Sequence, residues 1–183
     1  MSTTFPGTTV EISELSKGSS KTLFDGVFAA GGITLSQVSI MTGLEPYLIQ
    51  NWVKRGFVTS PVKRLYSRDQ FARIVIINML REVLRIERIC SLIYVIGGNP
   101  DNDSDDLISD EELYHRYVDM VADGNINISD EVSVIAASKI AADDFEERVP
   151  GAKKELSGIL RVMLYAHAAS QLRDKADEIL SAF

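Results

Sequence analysis

Five polar residues within nine positions carry the most legible chemistry in the chain: Tyr47, Gln50, Asn51, Lys54 and Arg55. The amides of Gln and Asn present a donor beside an acceptor, which suits hydrogen bonding to base edges, adenine above all. Lys and Arg can neutralise phosphates and release condensed counterions. Lys63 and Arg64 form a second basic group a few residues on, followed by Tyr66. The Tyr66 hydroxyl could add a phosphate contact, or its ring could pack beneath the local chain. Phosphate contacts fix a register and base contacts carry specificity, so the two groups would have different tasks. The competing reading of the same residues is a solvated helix face and loop.

These side chains need short, sharply bounded elements to hold them. Thr34-x-x-Gln37 is a capping box, opening a helix with apolar Leu35, Val38, Ile40 and Met41 that stops at Thr42-Gly43. Glu45-Pro46 restarts a helix, with proline where its missing N–H costs nothing. That helix runs through Trp52, read as a core residue, to Arg55 and ends at Gly56. Two short helices across a glycine turn form the helix-turn-helix pattern. Phe57-Val58 and Leu65-Tyr66 predict a small hairpin with Pro61 in its loop. A second capping box, Ser67-x-x-Gln70, opens a helix carrying Phe71, Ile74, Val75, Asn78 and Leu80. A further amphipathic piece, 86–96, stops at Gly97-Gly98-Asn99-Pro100, the expected domain boundary.

Residues 1–21, rich in Ser, Thr, Gly and Lys, read as a poorly ordered arm before a short helix over 22–30. Beyond the boundary, Asp101–Asp106 reads as an acidic linker. Helices are expected from the Ser109-x-x-Glu112 box to Gly124, from Ser129-Asp130-Glu131 to about Arg148, and after Pro150-Gly151. The organisation is thus an arm and short helix (1–30), a helix-turn-helix unit (31–98) and an acidic, all-helical part (99–183). The net charge of −7 is unevenly spread: +5 over 31–94 and −11 over 95–183. A basic middle joined to an acidic end is the asymmetry of a chain with one phosphate-facing module.

The ordered set Ile33–Met41, Gly43, Pro46–Arg55, Gly56-Phe57-Val58, Arg64-Leu65-Tyr66-Ser67, 70–83 and 86–96 resembles the N-terminal DNA-binding half of MerR-type regulators. The resemblance covers about a third of the chain. It implies a winged helix-turn-helix with a small two-stranded wing. With the helix signals of the later part, which do not match that family's usual single long coiled-coil helix, the expected fold is all-α and ends in a C-terminal helical bundle. The single cysteine fits a cytoplasmic location. The resemblance also implies a homodimer on double-stranded DNA, within a bacterial family of uncharacterised function. Under it, Tyr47, Gln50, Asn51, Lys54 and Arg55 lie on the recognition helix, and Lys63, Arg64 and Tyr66 on the wing. Two departures stand out. Gln50-Asn51 occupies the place of an Arg-Tyr pair common in that family, and the wing is short. Arg81, Arg85 and Arg88 read as surface or packing residues. The rival reading is a protein-interaction module on the same scaffold that has lost DNA.

Other chemistries find little support. No apolar run reaches the roughly 18–20 residues of a membrane span, and residues 1–7 lack the pattern of a secretion signal. Asp101-x-Asp103-x-Asp105 with Glu112 imitates a calcium loop, but Asp106 occupies the position that needs glycine. Cys90, the single cysteine, sits among apolar neighbours, and His115 and His167 are isolated in sequence. Neither an enzyme nor a metal or cofactor is expected, and no effector ligand is identified.

Overall fold

The computed structural model describes residues 3–97, 107–124, 126–147 and 150–183. Its elements are β1 (Thr3–Thr4), β2 (Glu11–Ile12), α1 (Ser19–Val27), β3 (Ile33–Thr34), α2 (Leu35–Thr42) and α3 (Pro46–Lys54). They continue with β4 (Leu65–Tyr66), α4 (Arg68–Leu80), α5 (Ile86–Gly97), α6 (Asp110–Ala122), α7 (Glu131–Asp143) and α8 (Ala152–Leu180). The mostly helical class expected from the sequence holds, with two-stranded sheets β1–β2 and β3–β4.

Local chemistry sets the helix starts. Thr34 Oγ1 accepts the Gln37 N–H at 3.3 Å while Gln37 Oε1 accepts the Thr34 N–H at 2.8 Å. Ser67 and Gln70 repeat this at 3.2 and 2.9 Å, so both boxes form in full. At α6 only half a box forms. Ser109 Oγ accepts from Glu112, whose carboxylate turns to Arg116 instead. α7 ends at Asp143, short of the expected Arg148. The acidic run Asp101–Asp106, which holds most of the calcium-loop imitation, lies outside the described residues.

α4 is the centre of the molecule. Phe71, Ala72, Ile74, Val75, Ile76, Ile77, Met79 and Leu80 are all buried, on every side of the helix. A helix apolar all round must be enclosed, and α2, α6 and α8 enclose this one. Arg73 Nε donates to the buried Asp110 at 2.7 Å, and Asp69 accepts the Glu111 N–H at 2.9 Å, tying the start of α6 to α4. Buried residues from Phe5 to Ala166 form one continuous cluster, so the parts before and after residue 98 share a core.

Two expectations are corrected. The segment before α1 is not a loose arm: Phe5 is only 3% exposed, and Tyr114 donates its hydroxyl to the Pro6 carbonyl at 2.9 Å. Asn78 donates to the carbonyls of both Gly7 and Thr42 at 3.0 Å, and the Thr9 N–H bonds the Met41 carbonyl at 2.9 Å. Polar composition suggested disorder, but a few well-placed contacts order the segment against the end of α2.

The expected hairpin is also built differently. Leu65–Tyr66 pairs with Ile33–Thr34, not with Phe57–Val58. The Phe57 N–H is already committed to the Trp52 carbonyl at 2.9 Å and the Gly56 N–H to Val53 at 3.0 Å, a Schellman ending with Gly56 at φ 77°. A Cβ on Gly32 would lie 2.8 Å from Leu65 Cβ, so glycine there admits β4 beside the strand.

Phe5→Ala should destabilise the protein by about 3–5 kcal/mol in urea unfolding, as for other buried aromatic truncations. An unchanged midpoint would mean that the segment does not dock.

Candidate nucleic-acid interface

α3 divides its residues cleanly. Ile49 and Trp52 are buried, as expected for Trp52, whereas Tyr47, Gln50, Asn51, Lys54 and Arg55 are exposed. Positions 47, 50, 51 and 54 recur at helical spacing, so they form one outward face. Tyr47 is 70% exposed, which leaves its ring and hydroxyl available to a partner. The Arg55 guanidinium lies 4.5 Å from the centre of the Phe57 ring. This stacking orients the guanidinium beside the helix end while leaving its N–H groups free to donate.

Lys63 and Arg64 form the tip of a tight turn. Leu65 N donates to the Val62 carbonyl at 2.9 Å and Val62 N to the Leu65 carbonyl at 3.1 Å. Both tip residues have positive φ, 50° and 67°, the requirement of a type I′ turn normally met by Asn-Gly. Two long cationic side chains are thus held in a conformation that disfavours them, and such strain gathers at functional sites. The loop leading in is fixed by Gln70, whose Nε2 donates to the carbonyls of Thr59 and Ser60 at 3.0 and 3.1 Å. One side chain therefore caps α4 and anchors this loop.

Tyr66 does not join this surface. It is 3% exposed, and burial pushes its hydroxyl pKa up. Its ring packs under the turn, the second of the two arrangements the sequence allowed.

Charge is distributed unevenly among the cations. Arg68 pairs with Asp25 at 2.8 Å and Glu111 at 3.1 Å, and Arg73 with Asp110, so these arginines serve the packing of α4 on α6 and α1. Among the described residues Lys54, Arg55, Lys63, Arg64, Arg85 and Arg88 form no ion pair. Asn51 and Arg55 share a groove of about 430 Å³ with Arg81 and Arg85. Arg85, at the turn before α5, is exposed, in keeping with the surface-or-packing reading, and its place beside Arg55 comes from packing that sequence spacing does not show.

Residues 31–117 match the model of a family described as a domain of unknown function (DUF1836). The chain matches no curated protein and no solved structure. The matched segment runs from the glycine pair before β3 into α6. It therefore holds the whole exposed surface together with the helix that pins α4 through Arg73 and Asp110.

No helix among the described residues is long and apolar enough to cross a membrane, and none of their His, Cys, Asp and Glu side chains gather as a metal site. Burial holds the pKa of both His115 and His167 down. His115 Nδ1 lies 2.8 Å from Ser20 Oγ, and His167 Nδ1 lies 2.7 Å from the Tyr117 hydroxyl. Cys90 is partly buried, and burial raises its thiol pKa.

The strained turn gives a prediction of unusual sign. Replacing both tip residues, Lys63→Asn with Arg64→Gly, should stabilise the fold by about 1 kcal/mol, because the new pair prefers positive φ. A lower melting temperature in calorimetry would contradict the assigned turn geometry.

Proposed function

We propose that the protein is a DNA-binding transcriptional regulator of the MerR-like winged helix-turn-helix class. The observation that carries this reading is the outward face of α3, where two amides and a lysine stand exposed and unpaired by acids among the described residues. In this reading Gln50 and Asn51 meet base edges in the major groove. Lys54, Arg55 and the turn at Lys63-Arg64 meet phosphates, with Arg85 extending the backbone contact beyond the groove it shares with Arg55. The acidic C-terminal part would be repelled by DNA, which orients the basic side toward the duplex.

A second copy of the chain belongs to the same proposal. Val162, Tyr165, Ala169, Leu172, Ala176, Ile179 and Phe183 follow a 3-4-3-4 spacing along α8 and just past its end, an apolar heptad seam. All seven are exposed, Leu172 at 71%, and residues 171–183 are exposed on every side. A helical extension this short is marginal in water unless something covers it, and a heptad seam is self-complementary. A symmetric dimer would match two half-sites. Leu172→Glu should therefore yield monomers in light scattering at concentrations where the parent is dimeric. A parent that is monomeric at those concentrations would remove the dimer from the proposal.

Selection from random duplexes should return a defined motif, and Gln50→Ala should relax it at one position, costing about 1–3 kcal/mol there. The combined variant Lys63→Ala with Arg64→Ala should weaken binding to all duplexes and lower the salt slope by about 1–2. Failure to enrich any duplex would sink the regulator reading in favour of a protein-binding scaffold.

A further inference from the structure

A cleft of about 600 Å³ lies between α6, α7 and the segment leading into α1. One wall is apolar and shallow. Ser133, Ala136, Ala137 and Ala141 line it from a single face of α7, with Ile140 at its mouth, 70% exposed. Small side chains here leave open a space that larger apolar residues would fill against α6. The opposite wall is charged, but most of its charges are already engaged. Arg116 is held by Glu112 and Asp144, Lys17 pairs with Asp123 at 3.0 Å, and Asp119 accepts the Gly18 N–H at 2.8 Å. Burial favours neutral His115, so the ring adds no cation to this wall. Lys21 is exposed and forms no ion pair among the described residues. It stands in the first turn of α1, whose start already carries the Asp119 carboxylate at the Gly18 N–H.

We propose that this cleft binds a small amphipathic carboxylate, with its anionic group at Lys21 and its apolar body along the alanine face of α7. The reasons are complementary. An open apolar wall takes a hydrocarbon body without a steric contest, and a pocket of this size suits a ligand of that scale. Lys21, an ammonium with no carboxylate partner among the described residues, favours a negative group, while Glu112 and Asp144 share Arg116, Asp123 pairs with Lys17 and Asp119 is bonded to the Gly18 N–H. The proposal does not depend on DNA binding.

Octanoate, 1-octanol and octylamine share one apolar body and differ in charge, so titration calorimetry of the full chain with the three separates the terms. Octanoate should bind at least about tenfold more tightly than either of the others. Lys21→Met, which keeps the apolar stem, should weaken octanoate about tenfold and leave octanol unchanged. Ala137→Leu should fill the cleft and weaken both. If that variant does not fold, Lys21→Met alone decides the question. Octylamine binding as well as octanoate, or octanoate binding unaffected by Lys21→Met, would overturn the proposal. So would the absence of heat at about 10 mM octanoate, a concentration well above a millimolar dissociation constant.

Discussion

The burial of α4 on every side is the constraint from which the rest follows. Its thirteen residues include eight that water does not reach, and no single neighbouring helix could cover them. α2, from the earlier part of the chain, therefore packs against one flank, and α6 and α8 against others. This places the acidic, later part of the chain against the basic, earlier part. Arg73 is turned inward to Asp110, and the partly exposed Arg68 bridges to Asp25 and Glu111. Removing Asp110 would take the carboxylate from the mostly buried Arg73 guanidinium, which is costly.

Because α4 commits those arginines to ion pairs, the cations left unpaired nearby mark the outer basic surface. Lys54, Arg55, Lys63, Arg64, Arg85 and Arg88 stay unpaired among the described residues, on α3, the turn after it and the start of α5. The local charge seen along the sequence is thus not one uniform basic patch. Part of it holds the fold, and part of it faces outward. Asn78 and Gln70 perform the linking work between these roles. Asn78 binds the carbonyls of Gly7 and Thr42, fixing the end of α2, and Gln70 holds the loop before the Lys63-Arg64 tip. Both are ordinary polar residues on α4, so the central helix positions the exposed surface through side-chain amides.

Features set by neighbours a few residues apart were legible in the sequence. The capping boxes at Thr34 and Ser67, proline at the start of α3 and glycine at its end all act within one helical turn. Their residue types therefore determine the local conformation almost alone. The burial of Trp52 was expected from its large apolar ring, and the structure bears it out.

Tertiary structure decided whatever depended on partners distant in the chain. Tyr66 is core because β4 pairs with β3, more than thirty residues earlier, and Phe57 left the hairpin because its N–H was claimed by Trp52. Pro6, Gly7 and Thr9 are held by Tyr114, Asn78 and Met41, which composition cannot foresee. Arg85 reaches the groove of Arg55 only through the packing of the turn after α4. A sequence fixes which hydrogen bonds its residues can make; which of several possible partners wins depends on the shape that the buried apolar surface imposes.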